Sequence, residues 1–202
     1  MKYKSALFLL AANFLPVLGV VYFDWSLFSI FFLFWAENIA IGLFNVLRMF
    51  TSKAESPNKR YKMKVNGKPR LVSRASLVGF FILHYGFFTL GHGVAVFSIF
   101  GPSVIQIKTL VFAIAALFVS HGVSYATNFI GNGECKKIPV GKLLIQPYKR
   151  VVIMHFIVLI GGIFISSTGT SMTTLIMFIA LKSVTDLVSH LIEHQKIKVT
   201  YA

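Results

Sequence analysis

Acidic residues are scarce in this chain: six Asp and Glu stand against 20 Lys and Arg in 202 residues. Charge of either sign is scarce as well, at 13% of residues, about half the ~25% of an ordinary soluble protein. Too little polar surface is available to cover a globule, so a soluble enzyme is excluded. Disorder is excluded by the same composition, because 56% of the residues are hydrophobic and 21 are Phe. Cysteine is nearly absent, and the single Cys135 rules out an internal disulfide.

What is present is gathered into long uncharged runs. No Asp, Glu, Lys or Arg occurs from Ala75 to Ile107, from Thr109 to Gly133, or from Val151 to Leu181. Each run exceeds the ~20 residues with which a helix crosses ~30 Å of hydrocarbon. The expected fold class is all-α, a polytopic membrane helix bundle forming a single transmembrane domain over 1–202. Six helices are expected, at about 5–23, 25–50, 75–100, 108–130, 150–168 and 171–195. Tight turns at Asp24 and at Ser167-Thr168-Gly169-Thr170 would make antiparallel hairpins of the first and last pairs, and Gly101-Pro102 separates the third from the fourth. Met1-Lys2-Tyr3-Lys4 before an apolar run resembles a secretory signal. Gly19-Val20-Val21-Tyr22 offers no small-x-small cleavage site, however, so this segment is expected to remain as the first span.

All but Lys108 and Lys182 of the 20 basic residues fall on one side of these spans. The positive-inside rule makes that side the cytoplasm and places both termini there. The net charge of +14 is then mostly topogenic. The basic cytoplasmic loop 51–74 can also hold anionic lipid headgroups, at about 1 kcal/mol per basic residue near the surface. Nucleic acid is not an expected partner, because no aromatic platform accompanies the cations. Inside that loop Tyr61-Lys62-Met63-Lys64-Val65 alternates, Asn66-Gly67 suits a type I′ turn, and Lys68 to Val72 can return as an edge strand that tolerates Pro69. A small hairpin is expected.

Ionisable groups at membrane depth cost ~2.5–3.5 kcal/mol each on insertion scales and usually mark a site. At 1.5 Å per residue, His84 lies ~13 Å from the cytoplasmic face, His155 and His190 ~8 Å, and Asp186 and His121 ~14 Å. Glu37 is near the midplane. Groups from five helices can therefore meet in one layer of the cytoplasmic half, whereas His92, at ~25 Å, falls outside it. The sixth helix carries the clearest pattern. Lys182, Asp186, His190 and His194 recur every four residues, so that they share one face. Paired His at i and i+4 can hold one metal, with a carboxylate a turn away as a ligand or as an orienting partner.

Bland alternatives exist for each residue. A lone membrane His is often an interhelical hydrogen-bonding group worth ~1 kcal/mol, and that reading is favoured for His92 and His121 taken singly. His194 and Glu193 sit near an interface and can be solvated. Lys182 can neutralise Asp186 or Glu37 with no chemistry attached. Glu37 itself, beside Asn38 in Trp35-Ala36-Glu37-Asn38, can lock two helices through such a pair. Gly86, Gly91 and Gly93, around His84 and His92, permit close helix approach, for which packing is the default reason. Coincidence is harder to accept for Glu37, His84, His155, Asp186 and His190 together.

Several of these stretches are familiar as a set. Trp35-Ala36-Glu37-Asn38, His84-Tyr85-Gly86 to Gly91-His92-Gly93, Tyr148-Lys149-Arg150 before His155, and Leu181-Lys182 with Asp186 and His190 resemble a family of small prokaryotic multi-spanning membrane proteins of unknown function. The resemblance covers the second to sixth helices and is loosest in the basic loop. It implies an integral protein of a prokaryotic plasma (inner) membrane, in which Glu37, His84, His92, His155, Lys182, Asp186 and His190 act together. A looser likeness, of site only, is to membrane hydrolases of the alkaline ceramidase and progestin–adiponectin receptor type, which hold zinc through three His with an Asp nearby.

The favoured expectation is a metal-dependent membrane hydrolase acting on an amphiphilic or lipid substrate. His84, His155 and His190 would hold zinc, leaving a position for water whose pKa the metal lowers to about 7. Asp186 would ligate or orient His190, and Glu37 would be the general base or acid. The same set also permits iron. The alternatives are a metal-ion or proton-coupled carrier, with Glu37, His84, His92, Asp186 and Lys182 as a ladder, or a non-catalytic membrane subunit. Topology is tested first. A reporter fused after Ala202 and another inserted near Asn66 should both read cytoplasm, and one near Ser103 should read outside; loop 51–74 on the outer side would invert every depth above.

Overall fold

The computed structural model of the chain describes residues 19, 22, 25–56, 58–65, 68–101, 104–168, 177, 179 and 180. They are mostly helical. α1 runs Leu27–Thr51, β1 and β2 are Tyr61–Val65 and Lys68–Val72, α2 is Arg74–Phe100 and α3 is Val104–Ser124. A π-helical stretch, Tyr125–Gly131, prolongs α3. A 3-10 turn at Glu134–Lys136 then leads to the short α4, Val140–Ile145, and to α5, Tyr148–Thr168. Among the described residues four helical stretches are long and apolar enough to cross a membrane: Leu27–Thr51, Arg74–Phe100, Leu110–Gly131 and Val140–Ile160. The expected first and sixth spans, 5–23 and 171–195, lie outside the described residues but for a few positions.

Local chemistry sets the helix ends. The Ser73 hydroxyl accepts from the Ser76 N–H at 3.1 Å, which caps the start of α2. Gly101, at φ +63°, ends α2 ahead of Pro102. Past the end of α1 the Arg74 guanidinium donates to the carbonyls of Ser52 (2.9 Å), Phe50 and Glu55 (3.3 Å each), of which Phe50 is in the last turn, where the helix leaves carbonyls open. β1 and β2 pair antiparallel from Tyr61↔Val72 to Val65↔Lys68, so that only Asn66 and Gly67 connect them.

The described residues fall into two compact units, Trp35–Gly93 with Ile114–Val151, and the remainder. In the first unit a buried core joins Met49, Leu77, Val78, Phe81, Tyr85, Phe129, Cys135, Val140, Leu143 and Val151. Tyr61 and Val72, at the base of the hairpin, pack against it. α1 and α2 meet there through two reciprocal contacts. Trp35 of α1 lies where a Cβ on Gly93 would come within 2.8 Å of its ring, and Tyr85 of α2 lies where a Cβ on Gly42 would come within 2.5 Å. Each aromatic also donates to a carbonyl of the opposite helix: Trp35 Nε1 to Thr89 at 2.7 Å, and the Tyr85 hydroxyl to Asn38 at 2.9 Å. Gly86 and Gly91, expected to share this packing role, have open space beside them instead. The π-helical stretch brings the Tyr125 hydroxyl to 3.1 Å from Thr51 Oγ1 and buries Phe129 beneath the Arg48 guanidinium, 5.5 Å above its ring. In the second unit Phe28 and Phe32 flank Phe97, while Phe31 stacks on Phe100 at 4.3 Å.

The segment from 135 to 150 departs from its expected form of a cytoplasmic loop followed by a span starting at 150. It climbs along α1 in step. Lys53 N donates to the Cys135 carbonyl at 2.7 Å, Ser52 Oγ to Ile138 at 2.9 Å, and Asn45 Nδ2 to Leu143 at 3.0 Å. The third bond has a specific cause. Pro147 interrupts the helix between α4 and α5 and has no N–H to give the Leu143 carbonyl four residues back. Asn45 fills that acceptor from the neighbouring helix, the kind of replacement that lets a helix break sit in an apolar bundle.

Asn45→Leu keeps the volume but strands the Leu143 carbonyl, a loss of about 1–3 kcal/mol. Adding Pro147→Ala restores an N–H to that carbonyl and should recover part of the loss. Thermal unfolding of the detergent-solubilised chain measures both, and an Asn45→Leu protein as stable as the parent would contradict this role.

Candidate functional site

The climb of residues 135–150 carries Arg150 to the depth of Glu37. Its Nη1 lies 3.8 Å from Glu37 Oε1, with side-chain exposures of 25% and 13%. The carboxylate sits in the third turn of α1, and the guanidinium in the first turn of α5 just after the Pro147 break. Removing two charges from water is unfavourable, and their attraction offsets this only when the geometry is good. At 3.8 Å the two groups form an ion pair.

Two tyrosines lie near the pair, Tyr85 close enough to feel both charges. Tyr85, buried in α2, donates to the carbonyl of Asn38, the residue after Glu37. Its ring meets that of Tyr148 edge-on at 6.1 Å. The Tyr148 hydroxyl and His84 Nδ1 share a hydrogen bond of 2.9 Å. Phe80 and Phe88 flank the His84 ring on α2, each with its centroid 5.1 Å away. That bond engages one ring nitrogen and so orients the imidazole, leaving Nε2 as the other working position.

The remaining expected residues divide by place. Asn38 is buried beneath Tyr85 and presents its carbonyl there. His92 is buried in α2, two turns past His84. His121, in α3, stacks on Phe44 at 6.3 Å. His155 is exposed in α5, with Phe156 beside its ring, and belongs to the other unit. Lys182, Asp186, His190 and His194 lie outside the described residues, and with them half of the expected metal set. Among the described residues no three of His, Cys, Asp and Glu come together as a metal-holding group.

Arg150 is the residue that sequence reasoning missed. A count of basic residues treats it as one more topogenic charge beside Lys149, and the depth arithmetic starts the fifth span at its position. The available signal was Pro147. A proline just ahead of a Tyr-Lys-Arg run marks a helix break, and a break allows a charge to enter the bundle before the main span begins. Tyr85 and Tyr148 were visible as parts of motifs, but no spacing rule linked them.

With Glu37 ionised the pair is electrically neutral, and protonating the carboxylate would leave the charge of the guanidinium uncompensated by it. A double-mutant cycle tests the coupling. Glu37→Gln and Arg150→Met should each destabilise the chain, and the double variant should lose less than the sum, with a coupling of about 0.5–3 kcal/mol. Additive losses in the unfolding free energies would mean that the two groups sit near each other without interacting.

Comparison with the curated proteins and with the solved structures finds no match. The family-level comparison does, over nearly the full length and across all the elements described above: residues 2–201 match one family profile, and the chain belongs to that family, the family of unknown function DUF6498.

Proposed function

We propose that the chain is a six-span protein of a prokaryotic plasma (inner) membrane with both termini in the cytoplasm, and that it carries protons or a metal ion by way of Glu37. The observation that carries this reading is the Glu37–Arg150 ion pair within the bundle. A carboxylate at membrane depth costs ~2.5–3.5 kcal/mol on insertion scales, so it is retained for a use or for a partner. Here the partner is a guanidinium at 3.8 Å, which an incoming proton or metal ion can displace from the carboxylate, the site gaining the charge of the ion it takes up. Exchange of an internal cation for an external one is the elementary step of a carrier. Tyr85, near the pair, meets Tyr148, which is hydrogen-bonded to His84, and these hydroxyl and imidazole groups are candidates for passing a proton on.

A metal-dependent hydrolase is the second reading, and the His84–Tyr148 bond favours it. Metal-bound imidazoles usually have their other nitrogen held by a hydrogen bond, which is the condition of His84. His155, His190 and Asp186 would complete the zinc or iron set, and an amphiphilic or lipid substrate would enter from the inner leaflet. The six-span count, the orientation and the lipid partner belong to both readings.

Proteoliposomes holding a pH indicator or a metal indicator separate the two. Under the carrier reading an imposed gradient is dissipated by the wild-type chain, Glu37→Gln stops the flux, and Arg150→Gln leaves a flux that no longer responds to the gradient in the same way. Flux that persists unchanged in Glu37→Gln overturns the carrier reading. Stoichiometric zinc in the purified chain, lost in His84→Ala and retained in Glu37→Gln, would put the hydrolase in its place.

A further inference from the structure

We infer that the hairpin formed by β1 and β2 is a dock for anionic lipid headgroups, with Leu71 as an apolar wedge, its cross-strand partner Lys62 as the headgroup contact on the same face, and exposed Lys68 and Arg70 adding positive charge from the other face. The inference rests on the membrane-spanning reading of the chain and not on what the chain carries or cleaves.

Charge accounting around the hairpin points to a partner. Between Thr51 and Ala75 lie Lys53, Lys59, Arg60, Lys62, Lys64, Lys68, Arg70 and Arg74, against one acid, Glu55. Glu55 is already engaged: Lys59 forms an ion pair with it, and the Tyr61 hydroxyl donates to it at 2.8 Å. Partial burial pushes the Glu55 carboxyl up, but the bonds from Lys59 and Tyr61 outweigh this and hold it below its ordinary range, so it stays ionised and committed. Arg74 is taken up by the carbonyls of Phe50, Ser52 and Glu55. Arg60, Lys62, Lys68 and Arg70 are exposed, and among the described residues none of them has an acidic partner.

The register supplies the wedge. Tyr61 and Val72, cross-strand partners at the base, pack on the core and fix the hairpin in place. Alternation along a strand then puts their neighbours on the opposite face. Those neighbours are Lys62 and Leu71, themselves cross-strand partners, and Leu71 is 65% exposed. A large apolar side chain held in water beside lysines is the pattern of a surface that meets headgroups and the outermost acyl carbons together.

Position selects lipid over the other polyanions. The hairpin is tethered between Thr51 and Arg74, which end and begin two membrane-length helices. A five-residue strand spans only ~17 Å. Its cations therefore stay close to the headgroup layer, where attraction to an anionic leaflet persists for about a Debye length of ~8 Å. A nucleic acid would need stacking surfaces, and the one aromatic residue of the hairpin, Tyr61, is turned to the core and bonded to Glu55.

The test uses the full chain in nanodiscs of phosphatidylcholine, with and without phosphatidylglycerol. An environment-sensitive maleimide is placed on Leu71→Cys; the chain's other thiol, Cys135, is buried. The probe should shift to the blue and be quenched by brominated lipid only when phosphatidylglycerol is present, and added salt should reverse both. Lys62→Glu with Arg70→Glu should lower the lipid-bound fraction of the probe by about tenfold or more. Lys62→Gln with Arg70→Gln should fall between, and serves as the test if the reversed pair does not fold. Identical spectra in the two kinds of disc at low salt would overturn the inference, as would a shift that appears only on addition of RNA or of a soluble protein. Failure of the membrane-spanning reading would show separately, as a chain that leaves both kinds of disc.

Discussion

The carbonyl of Leu143 is the point on which the described architecture of the site turns. A proline four residues later cannot satisfy it, and an unsatisfied carbonyl in an apolar bundle is costly enough to dictate packing. Asn45 supplies the missing donor from α1. Once that bond is made, the register between α1 and the 135–150 segment is set, since the contacts of Lys53 and Ser52 precede it in step. Arg150 then falls beside Glu37, and Tyr148 beside His84 and Tyr85. A single amide thus converts a helix break from a defect into the device that brings a guanidinium to a carboxylate.

Rigidity on the opposite side of the site comes from shape. Helices in lipid gain little from hiding apolar surface, because lipid tails are equally apolar, so association depends on close packing and interhelical hydrogen bonds. The Trp35–Gly93 and Tyr85–Gly42 contacts provide both at once, each ring entering a notch left by a glycine and donating to a carbonyl beyond it. The two contacts lie on either side of Glu37 and Asn38 along α1. The carboxylate thus projects from a helix held by two aromatic contacts, and the guanidinium reaches it from the first turn after the break.

Much of the fold was legible in the sequence for reasons of composition. Long charge-free runs leave few options, and four apolar stretches, two of them with charges inside, are helices of membrane length among the described residues. The hairpin was legible because strand alternation and an Asn-Gly pair act locally, within a dozen residues. Glu37 and Asn38 stood out because polar groups are rare at that depth. Arg150 did not, because a count of charges carries no information on depth, and depth here depends on a contact between residues 98 apart in the chain. The glycines make the same point. Gly86 and Gly91 share the short motif of Gly93, yet only Gly93 faces a ring; Gly42, which does the same work on α1, stands in no motif at all. Which face of a helix meets a neighbour is a tertiary fact, and a sequence with hydrophobic residues all round its helices does not record it.

The separation of Asn45 from Leu143 also has a consequence in time. Chains grow at roughly 5–20 residues per second, so the acceptor that Asn45 serves is made about 5–20 s after Asn45 itself. During that interval α1 has both its amide and its carboxylate in place, while the groups that will receive them are still unmade. Newborn α1 must therefore shelter them by other means, at the insertion machinery or against water, and it cannot settle into lipid as a finished element. For this chain the order of synthesis runs against the order of satisfaction, and its membrane insertion is expected to be completed from the C-terminal side of the break backwards.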